Sequence, residues 1–137
     1  MTKEQYKYFP QTKDELQAII KHRIRVEGNE VNLNDIDVSA ITDMSELFLW
    51  SDFNGNISGW DVSNVTNMYG MFYSCKKFNQ DISNWDVSNV SDMAFMFNGC
   101  ESFNQDISDW DVSNVIDMFY MFDNCPIKEE YKPKFKK

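Results

Sequence analysis

The chain contains no long hydrophobic run, and among its 137 residues are only three cysteines and one histidine. No apolar stretch approaches the roughly 20 residues that a membrane-spanning helix needs, so no membrane insertion is predicted. The cysteines form an odd set without a CxxC spacing, which argues against both a disulfide framework and a zinc site. Reactive thiolates need a histidine or a positive environment nearby, and nothing marks His22 as a ligand. The sequence therefore predicts no catalytic residue, no metal site and no cofactor.

The amino terminus lacks export features. Its first residues, MTKEQYKYFPQTK, contain neither the apolar core of a signal peptide nor a cysteine for lipid attachment. We therefore expect either a cytoplasmic protein or one whose export signal is missing from this sequence.

Positive charge is scarce in the middle of the chain. Residues 36–125 carry fourteen Asp and Glu against two lysines, Lys76 and Lys77, and the whole chain has a net charge of −9. Such an acidic body repels nucleic acid and anionic membrane surfaces, so neither is predicted as a partner. Acidic charge commonly serves solubility, and a cationic partner stays open.

What the chain does contain is a sequence repeat with a period of 25 residues, which occurs in three nearly identical copies. The copies occupy residues 53–75, 78–100 and 103–125, and the middle one reads FNQDISNWDVSNVSDMAFMFNGC. A shift of 24 residues adds an earlier copy, which gives four units beginning near Leu33, Ile57, Ile82 and Ile107. A period of this size marks a repeat architecture, whose units stack because none buries its apolar face alone. We predict a single domain over residues 1–137, composed of a capping helix with a lead-in (1–32), four repeats (33–125) and a C-terminal cap with a basic tail (126–137).

Each unit is predicted to form a strand, a turn and a short helix. Residues 82–90 have the apolar spacing I-x-x-W-x-V-x-x-V, which places Trp85 and Val87 on one face of a short strand. Residues 93–100 have apolar side chains at i, i+3, i+4 and i+7, the stripe of a short helix. Stacking four such coils pairs their strands in a parallel sheet, so the predicted fold class is α/β.

Both ends of the stack are predicted to be covered. Thr12 to Glu15 form a capping box, and an apolar stripe followed by Gly28 predicts an amphipathic helix from about Lys13 to Glu27 over the first coil. At the other end Pro126 breaks the pattern, and we expect Tyr131 and Phe135 to fold back on the last coil.

The sequence of the repeats resembles that of a known family. WDVSNVTNMYGMF, WDVSNVSDMAFMF and FNQDISNWDVSNV resemble the repeats of BspA-like leucine-rich-repeat surface proteins, which include the domain of unknown function common in mycoplasma lipoproteins. The strand spacing is similar to the leucine-rich-repeat signature L-x-x-L-x-L-x-x-N. The resemblance covers about residues 9–131 and implies a short, right-handed, leucine-rich-repeat-like solenoid. It further implies a bacterial, often surface-exposed module for adhesion or partner binding, without a catalytic motif.

Two kinds of recurring side chain have a chemical reading as well as a structural one. The aspartate series of Asp37, Asp61, Asp86 and Asp111 is compatible with calcium, but Asp followed by Ser is also typical of ordinary turns. The three cysteines could form a redox or metal site, or a ladder of small buried hydrophobic side chains. We favour the structural reading in both cases. The predicted repeat core consists of Trp60, Trp85, Trp110, Met68, Met93, Met118, Phe72, Phe97, Phe122, Cys75, Cys100 and Cys125.

Positions that differ between the copies are candidates for function. Large apolar side chains occupy outward positions of the predicted helices, where neighbouring coils would bring them into one exposed patch. The candidate partner-binding residues are Leu49, Trp50, Tyr69, Tyr73, Phe95, Phe119 and Tyr120. The alternative is that some of these rings pack between coils.

The predicted function is a non-enzymatic protein–protein interaction module, which the family resemblance places in bacterial surface adhesion or host interaction. Three alternatives stay open. One is an intracellular inhibitor of the immunity-protein type, or an acidic mimic that binds a basic partner. Another is a self-assembling repeat unit, and the third is an enzyme that uses the cysteine or aspartate ladder. The predicted partner is another protein, with the chain itself a monomer or weakly associated end to end.

Overall fold

The computed structural model describes residues 5–135, which contain one α-helix, α1 (Lys13–Glu27), and one 3-10 helix (Glu129–Tyr131). Those residues form no β-strand and are otherwise turns and extended segments, with four isolated parallel bridges. The predicted α/β solenoid of strand–turn–helix coils with a parallel sheet is therefore wrong. The ends of the predicted lead-in and basic tail, residues 1–4 and 136–137, lie outside the described part.

Helix α1 begins and ends where the sequence predicts. The Thr12 side chain accepts a hydrogen bond from the backbone N–H of Glu15, which satisfies a free donor of the first turn. Gly28 ends the helix with a positive φ of 94°. Leu16 and Ile20 are buried against the core. Arg23 is buried as well, paired with Glu27 and with Asp35 at 2.9 Å, so its charge is compensated.

The repeats stack through hydrogen bonds between equivalent positions of neighbouring coils. Three of the parallel bridges join Asp43 to Asn67, Asn67 to Asp92, and Asp92 to Asp117. Beyond each bridge, every second backbone N–H donates to a carbonyl of the next coil. In the third coil these bonds run from Met93 to Asp117, from Phe95 to Phe119, from Phe97 to Met121 and from Gly99 to Asp123, at 2.8–3.0 Å.

The segment predicted as a helix in each coil is instead a succession of tight turns. We call residues 44–51, 68–75, 93–100 and 118–125 the turn ribbons. In the third ribbon, Met96, Asn98 and Cys100 donate to the carbonyl three residues earlier, while the N–H groups between them point to the next coil. Phe95 has a φ of 59° and Gly99 a φ of 76°, in the left-handed region. A left-handed residue at every fourth position prevents an α-helix from forming.

The segment predicted as a strand is also built from turns. Trp85 donates its backbone N–H to Ile82, and Val90 donates to Val87, each across three residues. Between them the Asp86 carboxylate accepts bonds from the backbone and the hydroxyl of Ser88. Turns stabilised by an aspartate side chain replace the ladder bonds that a strand would need.

Columns of stacked aromatic rings fill the interior. Trp60, Trp85 and Trp110 lie nearly parallel with ring centroids 6.4 Å apart, and each indole N–H donates to a carbonyl of the preceding coil. A second column joins Phe48, Phe72 and Phe97 at 5.5 Å. Because each ring contacts the equivalent ring above and below, the core is continuous along the stack.

The far end is covered in part by the C-terminal segment. Ile127 is buried, and Tyr131 and Phe135 are partly buried against the core, as predicted. The carbonyl of Tyr131 accepts a hydrogen bond from the backbone N–H of Ile107 at 3.0 Å. The side-chain oxygen of Asn104 accepts one from the backbone N–H of Lys128, also at 3.0 Å.

Candidate functional site

Five of the seven candidate partner-binding residues form one group, which we call the aromatic cluster: Tyr69, Tyr73, Phe95, Phe119 and Tyr120. The ring of Phe95 lies at the centre. Its centroid is 5.7 Å from both tyrosine rings of the second coil, 6.2 Å from Phe119 and 5.6 Å from Tyr120. The structure therefore brings together outward side chains from three coils.

The cluster is exposed, most strongly at its C-terminal side. Phe119 is 60% exposed and Tyr120 49%, whereas Tyr69, Tyr73 and Phe95 are half-buried against one another. The two candidates from the first coil lie elsewhere. Trp50 is 74% exposed and makes no ring contact within residues 5–135, and Leu49 lines a groove beside α1.

Three large aromatic residues occupy left-handed backbone positions that glycine tolerates better. Phe95 and Tyr120 are equivalent to Gly70, and Trp50 is equivalent to Gly99, all with positive φ. A left-handed conformation costs a residue with a side chain about 1–2 kcal/mol. Strained residues of this kind are concentrated at functional sites. Glu46, Ser74 and Asn124 hold the same conformation at the equivalent positions of other coils, so the left-handed backbone is a property of the turn ribbons and not of the aromatic residues alone.

The strain at Trp50 gives a stability prediction. Replacing Trp50 by glycine should raise the free energy of unfolding by about 1 kcal/mol, because the strain is removed and little buried surface is lost. Urea denaturation measures the change. Asp52→Gly is the control, since Asp52 is exposed and its φ is not in the left-handed region. Asp52→Gly should lower stability slightly. A loss of stability in Trp50→Gly would contradict the prediction.

The predicted core residues are buried in the second and third coils but less so in the fourth. Nine of the twelve are no more than 4% exposed, but Met118 is 37% exposed, and Phe122 and Cys125 are only partly buried. Met118 is thus a correction to the predicted core. Its equivalents Met68 and Met93 are covered by a following coil, and no coil follows the fourth within residues 5–135.

The cysteine ladder consists of free thiols. The thiols of Cys75 and Cys100 donate to the carbonyls of Phe48 and Phe72, at 2.7 and 2.8 Å. Burial raises the pKa of Cys75 to about 12 and also raises the pKa of Cys100 and Cys125. Nucleophilic and redox reactions need the thiolate, which these environments disfavour. The three cysteines therefore pack as small hydrophobic side chains, which is the interpretation favoured in the sequence analysis.

Carboxylates of the aspartate series accept hydrogen bonds from neighbouring serines. Asp61 and Asp86 each accept from the backbone N–H and the hydroxyl of the serine two residues on. The Ser88 bonds lower the pKa of Asp86. Within residues 5–135 no group of three or more His, Cys, Asp or Glu is arranged to hold a metal ion. These hydrogen bonds stabilise turns, which is the structural interpretation that the sequence analysis favours over a calcium site.

Two features of the surface escape prediction from sequence. Ile116 is 87% exposed, and the fourth ribbon leaves backbone N–H groups without an acceptor in the described residues. The signal for Ile116 is present in the sequence, because the equivalent positions hold Thr66 and Ser91, whose hydroxyls bond the preceding coil. The free N–H groups become recognisable only once the ribbon geometry is known.

A family model described as "Mycoplasma protein of unknown function, DUF285" matches residues 15–134. The chain belongs to this family. The predicted membership in the mycoplasma domain family of unknown function is thereby confirmed, and DUF285 is a BspA-like repeat domain. Neither a curated protein nor a solved structure matches the DUF285 chain. No helix in residues 5–135 of the DUF285 chain is long and apolar enough to cross a membrane.

Proposed function

We propose that this protein is a non-enzymatic binding module that contacts another protein through the aromatic cluster. The observation that carries the proposal is the arrangement around Phe95, where four further outward rings from the two neighbouring coils meet. Exposed groups of large apolar side chains typically mark contact surfaces, and tyrosine and other aromatic residues often dominate binding energy there.

The backbone supports this assignment independently. Phe95 and Tyr120 hold left-handed conformations that a glycine would adopt without strain. Replacing either aromatic residue by glycine would relieve the backbone, yet the rings are present in two successive coils. Glu46 holds the equivalent left-handed position in the first coil, so the conformation recurs in every ribbon, and what a role outside folding would explain is the choice of an aromatic ring there.

The charge of the surroundings indicates the partner's chemistry. Asp92 and Asp117 hold the turns from which the cluster residues project, and residues 36–125 carry fourteen acids against two lysines. We propose a partner that offers apolar or aromatic side chains flanked by lysine or arginine. Cationic groups also bind directly over aromatic faces. We further propose that the module acts at the bacterial surface, in adhesion or host interaction, and the BspA-like character of the family supports this proposal.

The test removes the cluster without touching the core. In the variant Tyr69→Ser, Phe95→Asn, Phe119→Ser, asparagine at position 95 tolerates the left-handed backbone. Proteins captured with the native chain are identified, and their affinities for both chains are measured by calorimetry. We expect the affinity to fall by about a hundredfold, as for a central hot spot. The thermal midpoint should change little, because the rings are on the surface.

The control is Phe9→Ser, which removes an exposed aromatic ring away from the cluster. It should bind as the native chain does. Equal affinity of the triple variant for the captured partner would refute the proposal. A collapse of stability in the triple variant would show that the rings are part of the core and that the surface assignment is in error.

The acidity of the coils favours a second candidate, an inhibitor that covers a basic site on its target. Such binding would depend steeply on salt concentration, since exposed charges are screened over about 10 Å at 0.1 M salt. Binding through the aromatic cluster should persist at high salt. The salt dependence of the affinity for the captured partner therefore separates the two candidates.

A further inference from the structure

We propose that copies of this chain associate head to tail, with the open edge of the fourth coil of one copy against the open edge of the first coil of the next. This association uses backbone groups at the ends of the stack, whereas the binding proposed above uses the side chains of the aromatic cluster; the two surfaces adjoin at Tyr120. It follows from the hydrogen bonds that hold the coils together, from the charges at the two ends and from the apolar surface of the fourth coil.

The fourth coil ends in a row of backbone donors. In each of the first three coils, four alternate N–H groups of the turn ribbon donate to carbonyls of the following coil. The equivalent groups of the fourth ribbon belong to Met118, Tyr120, Phe122 and Asn124, and within residues 5–135 they have no acceptor. We call this row the donor edge. Backbone groups aligned in this way template pairing with another chain.

The first coil has the complementary row of acceptors. The carbonyls of Met71 and Tyr73 accept bonds from the first coil, and their equivalents one coil earlier belong to Leu47 and Leu49. Neither has a donor in the described residues. We call these carbonyls, together with that of Ser45, the acceptor edge. They line a groove of about 480 Å³ between α1 and the first coil, where the Lys13 ammonium reaches the carbonyl of Ser45. Helix α1 thus covers the core while leaving the carbonyls of Leu47 and Leu49 open within residues 5–135.

A second copy satisfies both edges at once. Two donor edges facing each other, as in a symmetric dimer, would place N–H against N–H. A donor edge against an acceptor edge repeats the bonds that already join the coils inside the chain. Such a head-to-tail contact does not close on itself, so it extends into chains of copies.

The charges at the two ends are also complementary. The charged residues that line the groove at the acceptor edge are Lys13, Lys21 and Arg25 together with Glu46, so positive charge is in excess there. The groove at the donor edge, about 600 Å³ between the fourth coil and the C-terminal segment, is lined by Asp123, Glu129 and Glu130 together with Lys132 and Lys134. Opposite charges across a contact fix its orientation and speed its formation.

Apolar surface at the donor edge adds a driving force. Met118 is 37% exposed, whereas the equivalent methionines of the second and third coils are fully buried by the coil that follows them. Association would remove this surface from water.

Charge reversal tests the proposal. The variant Asp123→Lys, Glu130→Lys makes the donor end positive, and the variant Lys21→Glu, Arg25→Glu makes the acceptor end negative. Each alone should lower the association constant by about tenfold or more, because like charges then meet. An equimolar mixture should recover association, because each variant's ends match those of the other. Sedimentation velocity over a concentration series measures all four samples.

The matched control is Lys76→Glu, Lys77→Glu, which changes two exposed charges away from both ends and should leave association unchanged. A native chain that sediments as a monomer at every concentration, or as a dimer that grows no further, would overturn the proposal. So would a mixture of the two variants that associates no better than either alone.

Amide hydrogen exchange locates the contact. At low concentration the N–H groups of Met118, Tyr120, Phe122 and Asn124 should exchange quickly, and at high concentration they should become protected. Protection of other amides without these four would refute the assignment of the edge. The variant Tyr69→Ser, Tyr73→Ser lies at neither edge, so it should associate normally even where it loses the partner proposed for the aromatic cluster. The two proposals can therefore fail separately.

Discussion

Replacing Phe97 by alanine should lower the free energy of unfolding by about 4 kcal/mol, the typical cost of removing a buried phenylalanine. The ring is fully buried and stacks on Phe72 at 5.5 Å, on Phe103 at 4.3 Å and on Phe122 at 5.8 Å. Its loss leaves a cavity at the junction of two aromatic columns and interrupts contact between coils. Urea denaturation followed by tryptophan fluorescence measures the change.

Phe122→Ala is the matched control, since it removes the same ring at the equivalent position of the fourth coil. Phe122 is only partly buried and contacts Phe97 on one side, with the Lys132 ammonium over its ring. We expect Phe122→Ala to lower the free energy of unfolding by about 1–2 kcal/mol, because only a small cavity forms. Equal losses in the two variants would contradict the idea that a covering coil supplies the stability.

Replacing Gly55 by alanine should cost about 3 kcal/mol, at the upper end of what overpacking costs. A Cβ atom at this position would lie 2.0 Å from the backbone oxygen of Val31 and 2.6 Å from the ring of Phe53. A backbone oxygen cannot rotate away as a side chain does, so the lead-in segment must shift. The midpoint of thermal unfolding, followed by circular dichroism, reports the loss.

Gly59→Ala serves as the comparison for Gly55→Ala. Its nearest neighbour would be the Asn34 side chain at 3.1 Å, which can move by a few tenths of an ångström. This change should cost less than about 1 kcal/mol. If both substitutions were tolerated, the close approach of Val31 to the second coil would be in doubt.

The crowding at Gly55 also explains a difference between the copies. The equivalent positions in the next two coils hold Gln80 and Gln105, whose side-chain amides donate to Asn54 and Asn79 of the preceding coil. At Gly55 that space is taken by the backbone oxygen of Val31 and the ring of Phe53, so only a residue without a side chain fits. The sequence displays the exception, but its cause becomes visible only when the chain is folded.

Helix α1, the period of the repeat and the outward position of the aromatic cluster could all be predicted from the sequence. The helix has a capping residue, an apolar stripe and a terminal glycine, each sufficient to fix a boundary locally. The period follows from identity between copies. The cluster follows from the period, because residues 25 apart lie one above another wherever coils stack.

The secondary structure of the coils could not be predicted in the same way. Apolar residues at i, i+3, i+4 and i+7 satisfy a helix, but they also satisfy a ribbon of consecutive turns. The distinction lies in the residues with left-handed backbone conformation. These cannot be recognised from the sequence, because aromatic residues such as Phe95, Tyr120 and Trp50 normally avoid that conformation. The turns at Asp86 and its equivalents likewise imitate the alternation of a strand.

The bonds between coils have a mechanical consequence. Each coil is held by its immediate neighbours, so a pulling force on the C-terminal end acts first on a coil with one neighbour rather than two. The chain would then lengthen in steps of one repeat, each step breaking one row of bonds and one layer of stacked rings. A partner seated on the aromatic cluster spans three coils, and it would act as a clamp that prevents the first of those steps.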